Sequence, residues 1–206
     1  MNANKPYIIG LTGGIGTGKS EAAAFLETLG AAQVDADKIS HELTDGAGDS
    51  EALQAIREAF GDGVFLEDGT LDRRGLGEIV FADGAQRRRL EAILHPLIQR
   101  HMMDGIDRAA EAGKKVVILN VPLLFETGMD ALCDETWVLS ANEETQIARV
   151  MMRDHIDREQ AASRILSQMP TEEKCALARQ VISTDRPVEK TQSELAGLYQ
   201  SVLRRL

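Results

Sequence analysis

The residues with the clearest chemical potential lie near the start of the chain, where Gly13-Gly-Ile-Gly-Thr-Gly-Lys-Ser20 satisfies the pattern GxxxxGK(S/T). Glycines let such a loop turn back with positive φ and bring backbone N–H groups against anionic oxygens. Lys19 adds a charge suited to β/γ-phosphates, and Ser20 adds a hydroxyl suited to Mg²⁺. A helix opening at Lys19 would turn its positive dipole end toward the same anion. Gly14, Ile15, Gly16, Thr17, Gly18, Lys19, Ser20 and the following Glu21 therefore form a candidate binding segment for the phosphates of a nucleotide. A glycine-rich turn that binds nothing is the competing reading. The context argues against it, because an apolar strand (Tyr7 to Leu11) precedes the loop and a helix with Ala22, Ala23, Phe25, Leu26 and Leu29 on its apolar positions follows. The dinucleotide fingerprint GxGxxG fails in both frames: Lys19 or Glu21 stands where the last glycine is required.

A second constellation is Asp35-Ala-Asp37, just past a short apolar stretch from Ala31 to Val34 that reads as a strand. On an extended segment both carboxylates would point to one side of the chain. One could serve as general base or hydroxyl orienter and the other as a ligand of Mg²⁺ or its waters. A capping pair for a helix from Lys38 to Leu43 is the structural alternative. Arg149 and Arg153, with Arg158 and Arg164 beyond them, offer guanidinium groups that could grip phosphates and close over them. They could equally pair with Glu143, Glu144, Asp154, Asp157 and Glu159 on a solvated helix. Arg87, Arg88 and Arg89 fan around a helix, so at least one is merely solvated, and His95 reads more readily as a junction residue than as a catalyst.

The elements that must position these groups follow an alternating plan. Apolar runs at Lys114–Val121, Thr136–Ser140 and Val181–Ile182 read as further strands, and the first of these as a parallel strand covered on both faces. Helices are expected from Asp49 to Phe60, from about Asp72, from Gln86 to Leu94, from Leu97 to Ala112, from Asn142 or Glu143 through Asp154, onward to Gln168, and from Val188 to Leu206. His95-Pro96 is expected to divide two of them, since proline disfavours a helical residue before it. Segment 49–112 has no strand of its own and reads as a helical insertion on the side of a second substrate. Asn120-Val-Pro122 at the end of its strand lacks the acidic pair of a water-activating Walker B site.

With 206 residues and a formal charge of −10, the chain is expected to be one α/β domain that does not bind nucleic acid through a basic face. Cys133 and Cys175 have no metal spacing, and no apolar run is long enough for a membrane span. A reduced, cytoplasmic setting without a leader or membrane contact is the expectation.

Taken together, Gly10–Ser20, Asp35-Ala-Asp37, Leu94-His-Pro96, Pro122-Leu-Leu-Phe-Glu126 and Gln168-Met-Pro-Thr-Glu-Glu-Lys174 resemble the dephospho-CoA kinase family. The resemblance implies a P-loop kinase-like parallel sheet flanked by helices, with core segments 1–48, 114–142 and 180–206, a CoA-side insertion at about 49–112 and a lid at about 143–178. It implies transfer of the ATP γ-phosphoryl group to the ribose 3′-hydroxyl of dephospho-CoA with Mg²⁺, the last step of CoA biosynthesis. A monomer or weak homo-oligomer is expected. Asp37, Lys19 and Arg149 would be catalytic, with Arg149 and Arg153 in the lid. Asp35, Asp37, Arg73 and His95 would face the acceptor, and Ser20 and Asp35 the metal. Two departures stand out: Glu21 replaces a frequent hydroxyl residue, and Val181-Ile-Ser-Thr-Asp185 replaces the usual Ile-x-Asn-x-Gly. The alternatives are another small-molecule or nucleotide kinase on the same plan, or a nucleotide-dependent switch, for which the guanine-reading NKxD is missing.

Overall fold

The structure is a computed structural model that describes residues 5–46 and 50–206, so the expected helix start at Asp49 lies outside the described residues. The chain divides into two compact units, one made of residues 1–35 and 106–206 and the other of residues 36–105.

The first unit is built on five parallel strands: β1 (Tyr7–Gly13), β2 (Ala32–Asp35), β3 (Val116–Asn120), β4 (Glu135–Ser140) and β5 (Gln180–Ser183). Their order across the sheet is β2-β3-β1-β4-β5. β1 and β3 are buried almost throughout, which is why their sequences run as unbroken apolar stretches and not as alternating ones. Helix α1 (Lys19–Thr28) and helix α9 (Val188–Arg205) cover the sheet. Ala22, Ala23 and Leu26 of α1 and Leu195, Tyr199 and Val202 of α9 pack on Ile9, Leu11, Val116, Ile118, Trp137, Leu139 and Ile182. Each buried leucine or isoleucine contributes roughly 1.5–3 kcal/mol relative to exposure. Leu206, expected on the buried stripe of α9, is exposed past the helix end.

At the other end of the sheet from the glycine loop, Glu135 ties α9 to the strands. Its carboxylate accepts from the Tyr7 hydroxyl and from Arg205 Nη2, each at 3.0 Å, and from Trp137 Nε1 at 2.7 Å. Burial alone would raise the Glu135 pKa, but these donors outweigh it and hold the group below its ordinary value.

Helices α6 (Glu143–Asp154) and α7 (Arg158–Leu166) form a hairpin. The Asn142 side chain caps α6, and an Asp157–Gln160 capping box opens α7. His155, the one described non-glycine residue with positive φ (53°), makes the turn between them. Ile147, Val150 and Ala161 form the hairpin's core, with Ile15 of the glycine loop packed against it. The expected continuation of α7 to Gln168 stops at Leu166, because a separate short helix, α8 (Thr171–Leu177), follows Pro170.

The second unit contains α2 (Ala36–Leu43), α3 (Glu51–Phe60, capped by Ser50), α4 (Arg73–Ala82, capped by Asp72) and most of α5 (Gly84–Glu111). Leu53, Ile56, Val64, Leu71 and Leu76 form its core, with Phe60, Leu90, Ile93 and Leu94 around them. Here His95-Pro96 does not divide two helices, since α5 runs through both residues. An interior proline forfeits one hydrogen bond and costs about 3 kcal/mol. Leu90, Ile93 and Leu94 before it, and the buried Leu97, Ile98 and Met102 after it, are apolar groups whose burial offsets that cost.

Candidate active site

Three strands end side by side where the glycine loop begins. Asn120 of β3 pairs in register with Leu11 of β1 and with Asp35 of β2. Strand order reverses around β1, so the loop lies at the switch point of the sheet, the usual place for ligands in open parallel sheets.

The loop itself has the backbone its glycines predict: Gly16 has φ +80° and Gly18 has φ +81° immediately before α1. The Thr17 hydroxyl, fully buried, donates to the Gly14 carbonyl at 2.8 Å and closes the turn. Glycine at 16 is also a packing requirement. A Cβ there would stand 2.8 Å from the Gln146 carbonyl oxygen.

Lys19 Nζ donates to Asn120 Oδ1 at 2.7 Å, and Asn120 Nδ2 donates to Asp35 Oδ2, which also accepts from Gln33 Nε2 at 3.2 Å. A cationic head, a buried amide and a carboxylate are thus strung along the carboxyl edge of β1, β3 and β2. Asn120 was not among the candidates read from the sequence; its signal was a polar residue ending an otherwise apolar strand. Ser20 is the second residue of α1, and Glu21 follows on its exposed first turn.

Asp35 and Asp37 do not share one extended segment. β2 ends at Asp35 and α2 begins at Ala36, so Asp37 sits in the first turn of a helix, exposed, where the dipole favours its charge.

Of the arginines, Arg149 meets the loop directly. Its Nη1 donates to the Gly16 carbonyl and to Thr184 Oγ1, each at 3.0 Å, and its Nη2 donates to the Thr184 carbonyl at 2.8 Å. Thr184 belongs to the departing Val181–Asp185 stretch, so that stretch reaches the loop through Arg149. Arg153 instead forks onto Asp154, at 2.7 and 3.1 Å, and this carboxylate raises its pKa, with a smaller contribution from the charge of Glu21. Arg158 pairs with Glu144, and Arg164 with Asp154, as the solvated alternative expects. In the second unit, Arg73 donates to Thr44 Oγ1 at 2.8 Å and to the His41 carbonyl at 3.2 Å, while His95 is half-buried in mid-α5. Cys133, packed beneath Gly10, has its thiol pushed by burial up to about 12, so it stays protonated and is no nucleophile. Both cysteines are free thiols.

The family model of dephospho-CoA kinase matches residues 7–190. The chain belongs to the dephospho-CoA kinase family. A curated dephospho-CoA kinase from Symbiobacterium thermophilum is 40% identical over 94% of this chain and 80% of its own length. Among solved structures, a Thermus thermophilus protein superposes with a TM-score of 0.83 at 32% identity, covering 98% of each chain. Dephospho-CoA kinase from Campylobacter jejuni superposes with a TM-score of 0.69 at 28% identity, covering 95% of this chain and 96% of the other. The enzyme is therefore a kinase, and the family acts at the last step of CoA biosynthesis. No described helix is long and apolar enough to cross a membrane.

Proposed function

We propose that this dephospho-CoA kinase family member transfers the γ-phosphoryl group of ATP to the ribose 3′-hydroxyl of dephospho-CoA, with the residues assigned as follows. The observation that carries the assignment is the Lys19–Asn120–Asp35 chain beside the glycine loop. Gly14 to Ser20 cradle the ATP phosphates, and Glu21 borders them. Lys19 compensates the charge on the transferred group, and Arg149, already in contact with Gly16, stabilises the same region. Asp37 takes the proton of the 3′-hydroxyl as its oxygen bonds to the γ-phosphorus and the bond to the ADP oxygen breaks. Asp35 orients the acceptor, Arg73 and His95 bind the CoA portion, and segment 143–178 with Arg153 acts as a lid.

A Mg²⁺ ion fits the donor set. Among the described residues no cluster of three or more His, Cys, Asp or Glu could hold a metal by itself. A site of one hydroxyl and one carboxylate, Ser20 and Asp35, suits an ion that keeps waters and binds substrate phosphates. Bound there, it would neutralise charge on the β- and γ-phosphates.

The test is product identity. Incubation with Mg·ATP and dephospho-CoA is expected to give ADP and CoA, in which the former 3′-hydroxyl carries the new phosphate, read by phosphorus NMR. Transfer to another alcohol, with dephospho-CoA left unchanged, would replace the acceptor named here.

A further inference from the structure

Two stretches that point to the family, 122–126 and 168–174, the second within the lid segment, contain no residue given a role of its own in the transfer described above, yet they meet one another beside the phosphate loop. Lys174, on α8, is fully buried. Its Nζ lies 2.8 Å from Glu126 Oε1 and donates to the Pro122 carbonyl at 2.9 Å. Glu126 Oε1 also accepts from the Met169 N–H at 3.3 Å. Next to Met169, Gln168 Oε1 accepts from the Ile15 N–H at 3.1 Å, inside the loop itself. The Pro122 carbonyl in turn accepts from the Thr12 hydroxyl at 3.0 Å, at the end of β1. A closed circuit results: β1, segment 122–126, segment 168–174, Ile15, and back to β1 through the chain.

Gln146 of α6 bounds the loop from a second direction. It is 3% exposed, and its Nε2 donates to the Ala141 carbonyl at 2.9 Å. That bond fixes which end of the amide is which, because an oxygen in place of Nε2 would face another oxygen. Gln146 Oε1 has no hydrogen-bond partner among the described residues and lies 2.7 Å from where a Gly14 Cβ would stand.

A buried lysine–carboxylate pair is weak as a source of stability, since desolvating two charges offsets most of their attraction. Its geometric content is greater: it fixes segment 168–174 against segment 122–126 and so sets where Gln168 stands. Gln168 is also a suitable acceptor chemically. A carboxylate holding Ile15 would bring negative charge toward the phosphates; a neutral amide does not.

We propose that Gln168, held in place by the Glu126–Lys174 pair, is a positioning residue that pins the Ile15 amide and so presets the remaining loop amides for the triphosphate. The proposal rests on the reading of residues 13–20 as the ATP site. Preorganisation of this kind has large leverage, because a displacement of about 1 Å in a catalytic arrangement costs on the order of a hundredfold in rate.

The test compares the parent with Gln168→Met, which keeps the volume and removes the acceptor, and with Glu126→Leu/Lys174→Met, which removes both charges together. Gln168→Met is expected to lower kcat/KM for ATP tenfold or more and to leave the KM for dephospho-CoA within about twofold, with Tm nearly unchanged. Combining Gln168→Met with the charge-removing pair should do no further harm to kcat/KM for ATP, since both act through one contact. Parent-like ATP kinetics in Gln168→Met, or equal losses for both substrates accompanied by a collapse in Tm, would overturn the proposal. A calorimetric titration of the parent with Mg·ATP separates the two layers. Absent binding removes the ATP-site reading and this proposal with it, whereas normal binding with an indifferent Gln168→Met removes the brace alone.

Discussion

Asp37 carries the heaviest demand among the single residues, because in phosphoryl transfer the protein contributes alignment and charge compensation, and Asp37 is the group assigned to align the acceptor hydroxyl. Its place in the first turn of α2, one residue beyond the strand-to-helix junction, sets the carboxylate beside a helix N-terminus. The Asp37→Ala enzyme is expected to bind Mg·ATP as the parent does and to turn over dephospho-CoA about a hundredfold or more slowly. Parent-like kcat would remove Asp37 from the proton-accepting role. At this scale the sequence was informative where chemistry forces residue type. Gly13, Gly18, Lys19 and Ser20 announce themselves by spacing. Asn120 does not, because an amide becomes a bridge only when β1, β2 and β3 are placed side by side. Gln146 and Gln168 are hidden for the same reason: the loop residues they stand against, Gly14 and Gly16 for the first and Ile15 for the second, are more than a hundred residues away along the chain.

Among the elements, β1, the loop and α1 were legible together, since a strand buried on both faces leaves a continuous apolar run and the glycines mark its end. Residue types alone put the DxD pair on one extended segment, because they do not reveal that α2 starts directly at Ala36. The local rule that proline ends a helix divides α5 at His95-Pro96, and tertiary packing overrides it. If α5 bears a proline whose cost is offset by the apolar residues around it, then Pro96→Ala should raise stability by roughly 1–3 kcal/mol, less whatever the freer unfolded chain regains. Thermal denaturation measures this directly. A lower Tm would mean that the proline sits at a helix break that the alanine heals badly.

For the whole molecule, the charge of −10 agrees with a small anionic ligand being gathered locally by Lys19 and Arg149 and not by a general basic surface. The far end of the sheet gives a pH dependence separable from catalysis. Glu135 is held below its ordinary pKa by Trp137, Arg205 and Tyr7, so the stability it adds is present above the unfolded value, about 4.3, and is lost as pH falls through the folded one. Tyr7 is shifted the other way, first by burial and then by its bond to Glu135, so its contribution holds below about pH 10 and is lost as pH rises through its folded value. Glu135→Gln should therefore melt below the parent at pH 7, with the gap closing toward pH 3; a gap constant across that range would show that titration of Glu135 contributes nothing. If the loop, Asp35 and Asp37 serve to move the γ-phosphoryl group of ATP to one particular alcohol, coupled measurement of ADP release with and without dephospho-CoA tests it most directly. Release that depends on dephospho-CoA and matches the CoA formed mole for mole is the predicted result. ADP released at the same rate without the acceptor would contradict it.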